Sequence, residues 1–182
     1  NHLIEGRDSL TLAGKTKIQL NSFDLKEGEV QERGTLKFLS KNLVVNSGAS
    51  VVSSTQGGES SASLVFAADN FKLDGGLIQT VTNGAGRAGD ISLQSNSSSI
   101  QNAGNLGSQT EGEGAAGDIH VEGGTLDLGG GSSIRSGVDL NAKEMNLDAS
   151  GDAGAVTVDV ESISLSGGSY VASTALDVGQ SK

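Results

Sequence analysis

The sequence contains no cysteine and no proline, and aromatic residues make up only 3% of its 182 positions. Without cysteine the chain has neither disulfide bonds nor thiol chemistry, a composition that fits a secreted protein that stays unfolded until it crosses a membrane. Without proline every backbone N–H is available to pair with a neighbouring strand. With so few aromatic side chains a compact globular core is hard to fill, whereas a narrow stack of repeats needs only a few aliphatic residues per repeat.

The charge balance excludes one class of partner. Acidic residues outnumber Lys and Arg by 22 to 12, which gives a net charge of −10. Nucleic acid binding requires clustered Lys and Arg, and here these residues are scattered. No apolar run approaches the length of a membrane span, and no long stretch has the 3.6-residue periodicity of a helix. The sequence therefore predicts a chain of short strands that neither binds nucleic acid nor spans a membrane.

What the chain has instead is a repeat of β-favouring apolar residues. In each unit, two such residues two positions apart are followed by a second pair and then by a single apolar residue. Residues two apart face the same side of a strand, so each unit predicts three short strands with apolar side chains pointing inward. The units are Leu3, Leu10, Leu12, Ile18; Leu36, Phe38, Leu43, Val45, Val51; Leu64, Phe66, Phe71, Leu73, Ile78; Ile91, Leu93, Ser98, Ile100, Leu106; Ile119, Val121, Leu126, Leu128, Ile134; and Val156, Val158, Ile163, Leu165, Val171.

The spacing of these units predicts the architecture. The first strands that begin at Leu36, Leu64, Ile91, Ile119 and Val156 are 28, 27, 28 and 37 residues apart. Short strands joined by Gly, Ser, Asn and Asp suit a parallel β-solenoid, and crossovers between parallel strands are almost always right-handed. We therefore predict an all-β fold, a right-handed parallel β-helix of about six coils of 27–28 residues with longer loops in coils 1 and 5.

The whole chain, residues 1–182, is predicted to form a single β-helix domain. Its first and last units are incomplete, so we interpret it as a fragment of a longer protein. A solenoid cut inside its coils exposes unpaired strands, and we therefore expect end-to-end self-association. Residues Ile4-Glu5-Gly6-Arg7 match a protease site used in expression vectors, but Leu3, Leu10 and Leu12 keep the repeat register across it, which favours a native origin.

Glycine-rich turns precede three of the units. Residues 84–90 (GAGRAGD) and 112–118 (GEGAAGD) are near copies, and residues 151–154 (GDAG) are a shortened version. With residues 126–134 (LDLGGGSSI) and 163–171 (ISLSGGSYV), these turns resemble the repeats of filamentous haemagglutinin-like exoproteins, the large passengers of bacterial two-partner secretion. The resemblance covers residues 34–182 well and the amino-terminal part less well.

The resemblance implies a biological role as well as a fold. Members of this family are right-handed β-helices that pass through an outer-membrane transporter, are displayed at the cell surface or secreted, and often adhere to host or neighbouring-cell surface molecules. The asparagine-proline motifs of the family's amino-terminal secretion domain are absent, since the chain has no proline. The resemblance therefore implies a structural or adhesive shaft segment without enzymatic activity or a cofactor.

Three aspartates in the glycine-rich turns are weak candidates for a calcium site. Asp90, Asp118 and Asp152 occupy related positions, so stacking would line up their carboxylates about 4.8 Å apart, and such oxygen ligands suit Ca²⁺. The alternative is that each aspartate accepts hydrogen bonds from nearby backbone N–H groups without a metal. Asp152 is also displaced relative to the other two.

Other patterns carry weaker functional interpretations. The glycine runs at 84–89 and 129–131 lack the helix and the Lys-Ser or Lys-Thr of a phosphate loop, so corners with positive φ explain them better.

A polysaccharide-cleaving enzyme would need paired carboxylates, for which Asp127 and Asp159 are outward-facing candidates. An ice-binding solenoid would need a regular hydroxyl array, but a ladder that stabilises a corner is the better interpretation of the third-strand hydroxyls. These are Ser53, Thr55, Thr80, Ser108, Ser136 and Ser173.

Two insertions leave the repeat at the same corner and are candidate partner-binding loops. In the middle units, the apolar residue of the third strand is followed 13 residues later by the first apolar residue of the next unit. The same distance is 18 residues from Ile18 to Leu36 and 22 residues from Ile134 to Val156. A tolerated surface loop is the alternative explanation. The candidate contact residues in these insertions are Phe23, Leu25, Val138, Leu140, Lys143, Met145 and Leu147.

Overall fold

The structure, a computed structural model, describes residues 1–22, 34–138 and 150–175 and contains strands but no helix in these ranges. Long strands of 10–12 residues alternate along the chain with short strands of five or six. The long strands are β1 (His2–Leu12), β3 (Thr35–Asn46), β5 (Ser63–Asp74), β7 (Ile91–Gln101), β9 (Ile119–Leu128) and β11 (Val156–Leu165). The short strands are β2 (Lys17–Ser22), β4 (Ser50–Thr55), β6 (Leu77–Thr82), β8 (Asn105–Thr110), β10 (Ser133–Val138) and β12 (Tyr170–Thr174).

The strands form two parallel sheets of six. The long-strand sheet has the order β1-β3-β5-β7-β9-β11, and the short-strand sheet has the order β2-β4-β6-β8-β10-β12. The chain thus alternates between the two sheets, and each strand pairs with the strand two places earlier and later in the sequence. The prediction of an all-β fold with parallel strands is confirmed.

The register of the sheets follows the repeat read from the sequence. Leu36 pairs with Leu64, Leu64 with Ile91, Ile91 with Ile119, and Ile119 with Val156. The predicted inward positions from Leu36 onward therefore form columns across the sheet. The prediction for Leu3 is wrong: Leu3 pairs with Lys37 and is 57% exposed, and His2 takes the position beside Leu36. The reason is that β1 has two unpaired residues at the point where β3 has one, which shifts the count by one position. The columns from both sheets meet in a single hydrophobic core, and the central members, such as Leu64, Ile91 and Ile119, are at most 1% exposed.

The two strands predicted at the start of each unit form one long strand with an interruption in its pairing. On β3 and β5 the ladder pairs Ser40 with Ala68 and Asn42 with Asn70, but it omits Lys41 and Asp69. The same omission recurs on β7, β9 and β11. Because only one residue per strand leaves the ladder, the hydrogen bonding continues on both sides of this interruption, and two predicted strands become one element.

The few aromatic residues are concentrated in the core of one pair of strands. The rings of Phe38 on β3 and Phe66 on β5 stack with centroids 4.8 Å apart, and Phe71 meets Phe66 edge-on at 5.9 Å. All three are at most 2% exposed. Stacked and edge-to-face rings at these distances are favourable, so aromatic packing adds to an otherwise aliphatic core.

The outermost strands leave apolar side chains exposed. β1 and β2 lie at one end of the two sheets, and β11 and β12 lie at the other. Leu3 is 57% exposed, while Ile163 and Leu165 are each 47% exposed. Within the described ranges, no helical segment has the length and hydrophobicity needed to cross a lipid bilayer.

Candidate functional site

A column of hydroxyl side chains lines the inner face of the short-strand sheet. Ser53, Thr80, Ser108, Ser136 and Ser173 share one register position, and the first four are at most 1% exposed. The sequence analysis names all five as a ladder; its sixth member, Thr55, lies two positions further along β4. Since the first four hydroxyls are buried in the core, they do not form a water-facing array of the kind that ice binding requires.

The hydroxyl column binds the backbone of the glycine-rich turns. Thr80 Oγ1 donates to the carbonyl of Gly89 at 2.6 Å and lies within hydrogen-bond distance of Ser108 Oγ, at 2.8 Å, from which it can accept. Ser108 Oγ in turn accepts from the N–H of Gly117 at 2.7 Å. Buried backbone groups need such partners, so the column adds to the backbone hydrogen bonds between successive turns, such as that from Ala88 N–H to the carbonyl of Ala115 at 2.9 Å.

The same arrangement continues along the column. Ser136 Oγ donates to the carbonyl of Gly117 at 2.8 Å and accepts from the N–H of Gly154 at 2.9 Å. Ser173 Oγ donates to the carbonyl of Gly154 at 2.7 Å. One glycine of each turn is therefore held through both its N–H and its carbonyl, which corresponds to the corner-stabilising role predicted for the ladder.

The turn glycines are required for a reason other than the one predicted. Gly130 and Gly131 do have positive φ, at 62° and 74°, but no positive φ is found at Gly84, Gly86 or Gly89. Instead, a Cβ on Gly89 would lie 2.2 Å from the carbonyl oxygen of Ala62 in the preceding turn.

Two further turn glycines face the same restriction. A Cβ on Gly117 would lie 2.1 Å from the carbonyl oxygen of Gly89, and one on Gly154 would lie 2.2 Å from that of Gly117. Because any side chain would collide with backbone, successive turns stack directly on each other only with glycine at these positions.

Two of the three candidate calcium ligands accept hydrogen bonds from protein groups. Asp90 Oδ1 accepts from the backbone N–H of Asp118 at 2.8 Å, and Asp118 Oδ1 accepts from the N–H of Ala155 at 2.7 Å. The guanidinium of Arg87 bridges the two carboxylates at 2.6 Å to Asp90 and 2.9 Å to Asp118. These contacts correspond to the metal-free alternative of the sequence analysis.

The third candidate, Asp152, lies outside this column. The pairing of Ile119 with Val156 places Ala155, not Asp152, beside Asp118. Asp152 instead accepts the N–H of Ala116 through its backbone carbonyl at 2.9 Å. In the part of the chain that the structure describes, no three His, Cys, Asp or Glu side chains are grouped as metal ligands. Calcium binding at these aspartates stays a prediction.

A shallow groove on the outer face of the long-strand sheet is a concave surface that the sequence analysis missed. It has a volume of about 710 Å³ and follows the interruption in the pairing, so it crosses the strands from β3 to β11. Four strand-to-strand steps give it a length of about 19 Å. Its lining residues are Leu39, Ser40, Lys41, Ala67, Ala68, Asp69, Gln94, Ser95, Asn96, Glu122, Gly123 and Asp159.

Three carboxylates and one ammonium group line this groove. Glu122 and Asp159 are cross-strand partners on β9 and β11, while Asp69 and Lys41 lie on β5 and β3. Glu122 Oε2 also contacts the ring nitrogen Nε2 of His120 at 3.2 Å. The carboxylate of Asp159 makes no hydrogen bond or ion pair with any described residue, although its backbone belongs to the ladder with β9. The groove therefore offers hydrogen-bonding groups of both kinds to an elongated polar ligand.

The groove includes one of the two carboxylates named as an enzymatic candidate pair. Asp159 lines it, but Asp127 does not, because Asp127 follows the interruption on β9 and binds Gln101 at 3.0 Å. The signal for the groove is present in the sequence as the outward column Leu39, Ala67, Gln94, Glu122 and Asp159. The sequence does not show the concavity, which depends on the backbone direction at the interruption.

The candidate partner-binding loops are only partly covered by the structure. Val138 is the last residue of β10, pairs with Thr110 and is 2% exposed, so it is a core residue rather than a loop residue. The other six candidates lie outside the described residues: Phe23, Leu25, Leu140, Lys143, Met145 and Leu147.

Comparison of the chain with models of protein families, with curated proteins and with solved structures found no match. The functional interpretation therefore depends on the geometry described above and on the repeat pattern of the sequence.

Proposed function

We propose that this chain is a right-handed parallel β-helix that forms part of the shaft of a secreted or surface-displayed bacterial filamentous haemagglutinin-like adhesin. The observation that supports this best is the parallel register of both sheets, which runs through all six repeats. Each repeat contacts its neighbours through a ladder in each sheet, an apolar core and stacked turns. Such a stack resists bending and suits a projecting rod better than a substrate-binding globule.

The sequence composition also supports export through an outer-membrane transporter. A chain without cysteine forms no disulfide bonds before transport, and one without proline has no slow isomerisation step after it. Because each coil pairs only with its neighbours, folding proceeds coil by coil as the chain emerges, and the free energy of folding helps to draw the chain outward.

Export provides the test of this proposal. The chain is joined to the secretion domain of a two-partner secretion passenger and produced with the matching transporter. We expect the fusion to reach the cell surface in a protease-resistant form. The matched control is a fusion that carries Leu128→Asp, which places a carboxylate in the core and should reach the surface protease-sensitive or in lower amount. Retention of the unaltered fusion in the periplasm, while the native passenger is exported, would overturn the proposal.

The adhesive contacts, with host or neighbouring-cell surface molecules, are assigned in this proposal to the two long insertions. A regular shaft has no need to lengthen one corner, and residues 139–149 mix apolar and charged side chains. Replacing residues 139–149 with a short Gly-containing turn should keep the fold, as measured by circular dichroism, and abolish attachment of the parent protein to cells. Unchanged attachment would exclude this insertion as the contact surface.

Polysaccharide cleavage is the second candidate, and the groove is the observation that favours it. Glycoside hydrolysis uses two carboxylates on either side of the scissile bond, about 5–5.5 Å apart in retaining enzymes. Glu122 and Asp159 face the groove from adjacent strands, and adjacent strands lie about 4.8 Å apart. An elongated substrate would lie along the groove and across the strands.

A reducing-end assay with a panel of polysaccharides distinguishes the two candidates. Cleavage predicts product release by the unaltered chain, loss of release in Asp159→Asn and retention in Asp127→Asn, whose carboxylate lies outside the groove. A shaft segment predicts no release from any substrate. Release that persists in Asp159→Asn would exclude this groove as the site.

A further inference from the structure

Two dipeptides of this chain have a sequence that readily forms a cyclic imide. When Asn or Asp precedes Gly, no side chain shields the glycine N–H, so its nitrogen can attack the carboxamide or carboxyl group of the preceding residue. Asn83-Gly84 is the one Asn-Gly pair of the sequence, and Asp74-Gly75 is the one Asp-Gly pair. All other asparagines precede residues that carry a side chain. These two pairs are therefore the places to look for spontaneous modification of the backbone.

The structure protects the pair Asp74-Gly75. The N–H of Gly75 donates to the carbonyl of Gln101 at 2.9 Å. The Asp74 carboxylate accepts from Lys72 Nζ at 2.7 Å and from Asn102 Nδ2 at 2.6 Å. Attack within this pair would require both the nitrogen and the carboxylate to give up these hydrogen bonds. An ionised carboxylate is also a poor target for a nucleophile, so this pair should stay unmodified.

The pair Asn83-Gly84 has neither restraint. Asn83 is exposed, and its carboxamide makes no hydrogen bond with any described residue. The N–H of Gly84 has one acceptor nearby in the described ranges, Thr82 Oγ1, at 3.4 Å. A contact of this length is weak. Both the attacking nitrogen and the carboxamide carbon are therefore available for reaction.

The neighbouring coils hold the backbone on both sides of this pair. The N–H of Asn83 donates to the carbonyl of Thr55 at 3.0 Å, and the carbonyl of Gly84 accepts from the N–H of Gly114 at 2.8 Å. A Cβ on Gly112 in the next turn would lie 2.8 Å from the carbonyl carbon of Asn83. The stack therefore has no space for an additional main-chain atom at residue 83.

We propose that Asn83-Gly84 is a self-modification site, at which residue 83 converts to aspartate and isoaspartate and the stack of coils then opens at this turn. The nitrogen of Gly84 bonds to Cγ of Asn83, the Cγ–N bond of the carboxamide breaks, and ammonia leaves with the N–H proton. Water then opens the cyclic imide. Opening at Cγ gives aspartate, and opening at the backbone carbonyl gives isoaspartate, whose main chain contains one extra methylene group. The proposal needs only this turn, so its failure would leave the proposed function untouched.

Both products disturb the contact with the next coil. Thr82 pairs with Thr110, so the residues that follow them, Asn83 and Glu111, lie side by side. A carboxylate at residue 83 would face Glu111, and like charges at opposed positions weaken pairing. Isoaspartate in addition lengthens the main chain where the coils leave no space. The modified turn should therefore become accessible to trypsin at Arg87, whose side chain is 27% exposed in the unmodified chain.

Ageing of the full 182-residue chain at mildly alkaline pH tests the proposal. Isoaspartate is labelled with an isoaspartyl methyltransferase and located by fragment mass spectrometry in the tryptic peptide of residues 73–87, which contains both pairs. We expect label at residue 83 and none at residue 74, together with faster trypsin cleavage of the folded chain after Arg87. Asn83→Gln is the matched control, because glutamine forms the corresponding larger ring far more slowly. This variant should lose both the label and the faster cleavage.

Three results of the ageing experiment would overturn the proposal. Label at residue 83 in the urea-unfolded chain but not in the folded chain would show that the turn blocks the attack. Label at residue 74 equal to that at residue 83 would show that the hydrogen bonds of the two pairs do not control the reaction. Label at residue 83 with unchanged cleavage after Arg87 would exclude opening of the stack.

Discussion

At the residue scale, the turn glycines set the distance between successive coils. The carbonyl oxygen of Gly89 lies only 2.1 Å from the position that a Cβ on Gly117 would take, and both residues bind the buried hydroxyl of Ser108. A side chain here displaces backbone rather than a flexible side chain, so neighbouring turns cannot relax locally. Glycine at these turn positions is thus required for successive coils to stack closely, in addition to allowing the chain to turn.

Gly117→Ala tests this requirement. We expect it to lower the free energy of unfolding by more than about 2 kcal/mol, since the new Cβ would lie 2.1 Å from a backbone oxygen. Gly58→Ala is the matched control, because a Cβ on this turn glycine meets no atom within 4 Å. Chemical denaturation measures both. Equal stability of the two variants would mean that the turns are not closely stacked.

Asp74 provides a pH-dependent contribution at the same scale. Its carboxylate accepts from Lys72 Nζ at 2.7 Å and from Asn102 Nδ2 at 2.6 Å, and these hydrogen bonds lower its pKa below the ordinary value. A pKa that is lower in the folded chain means that the ionised carboxylate stabilises the fold above the unfolded pKa. This stabilisation is lost as the pH falls through the folded pKa.

Asp74→Asn should therefore lower the Tm at neutral pH. The corresponding loss in free energy of unfolding should be less than about 1 kcal/mol, because Lys72 is half exposed and solvent weakens its ion pair with Asp74. The Tm difference from the unaltered chain should shrink as the pH falls below the ordinary value of 3.8. Thermal unfolding followed at a series of pH values measures this difference. A difference that is constant from neutral to acid pH would contradict the role of the ionised carboxylate.

At the element scale, alternation along each long strand separates the core from the outer face. On β9, Ile119, Val121, Leu126 and Leu128 are at most 1% exposed, whereas Thr125 is exposed. The alternation shifts by one residue at Gly124, which does not pair with the neighbouring strand. Odd-numbered positions face the core before Gly124, and even-numbered positions face it afterwards. One strand thus contributes both to the core and to the wall of the groove.

Leu128→Asp places a carboxylate in the interior of β9 without a partner. We expect a loss of about 4 kcal/mol or more and melting of several adjoining coils, since a buried charge is costly and each coil depends on its neighbours. Thr125→Asp, on the same strand but exposed, should change the Tm little. If Leu128→Asp left thermal unfolding unchanged, the inward assignment of this column would be wrong.

Much of the fold is predictable from the sequence because the repeat fixes the register. The spacing of Leu64, Ile91 and Ile119 predicts the strands, their parallel direction and the residues that line the core. The continuity of each long strand is not predictable, since Lys41 and Asp69 at the interruption have the same polar character as turn residues. The groove and the backbone contacts of Gly117 depend on three-dimensional proximity that no local pattern shows.

At the scale of the whole molecule, the repeats should be removable one at a time. Deleting residues 91–118 removes β7, β8 and one glycine-rich turn. In the deletion variant Asp90 directly precedes Ile119, as Asp118 does in the unaltered chain. We expect a folded chain of five coils with a denaturant m-value reduced by roughly one sixth, because m scales with the surface exposed on unfolding. An unfolded or aggregated deletion variant would contradict the equivalence of the coils.

The aromatic stack has a consequence for how the chain avoids misfolding. Repeats with nearly equal registers allow a trapped state in which a strand pairs one coil out of step and loops out the coil between. The stack of Phe38 on Phe66 occurs between β3 and β5 only, and Phe71 fits against Ser98, a small residue in its own column. Pairing β3 with β7 would set Leu43 against Ser98 and leave a void. The phenylalanines therefore make the pairing of β3 with β5 more favourable than its pairing with β7, and so they favour the correct register in a chain of similar repeats.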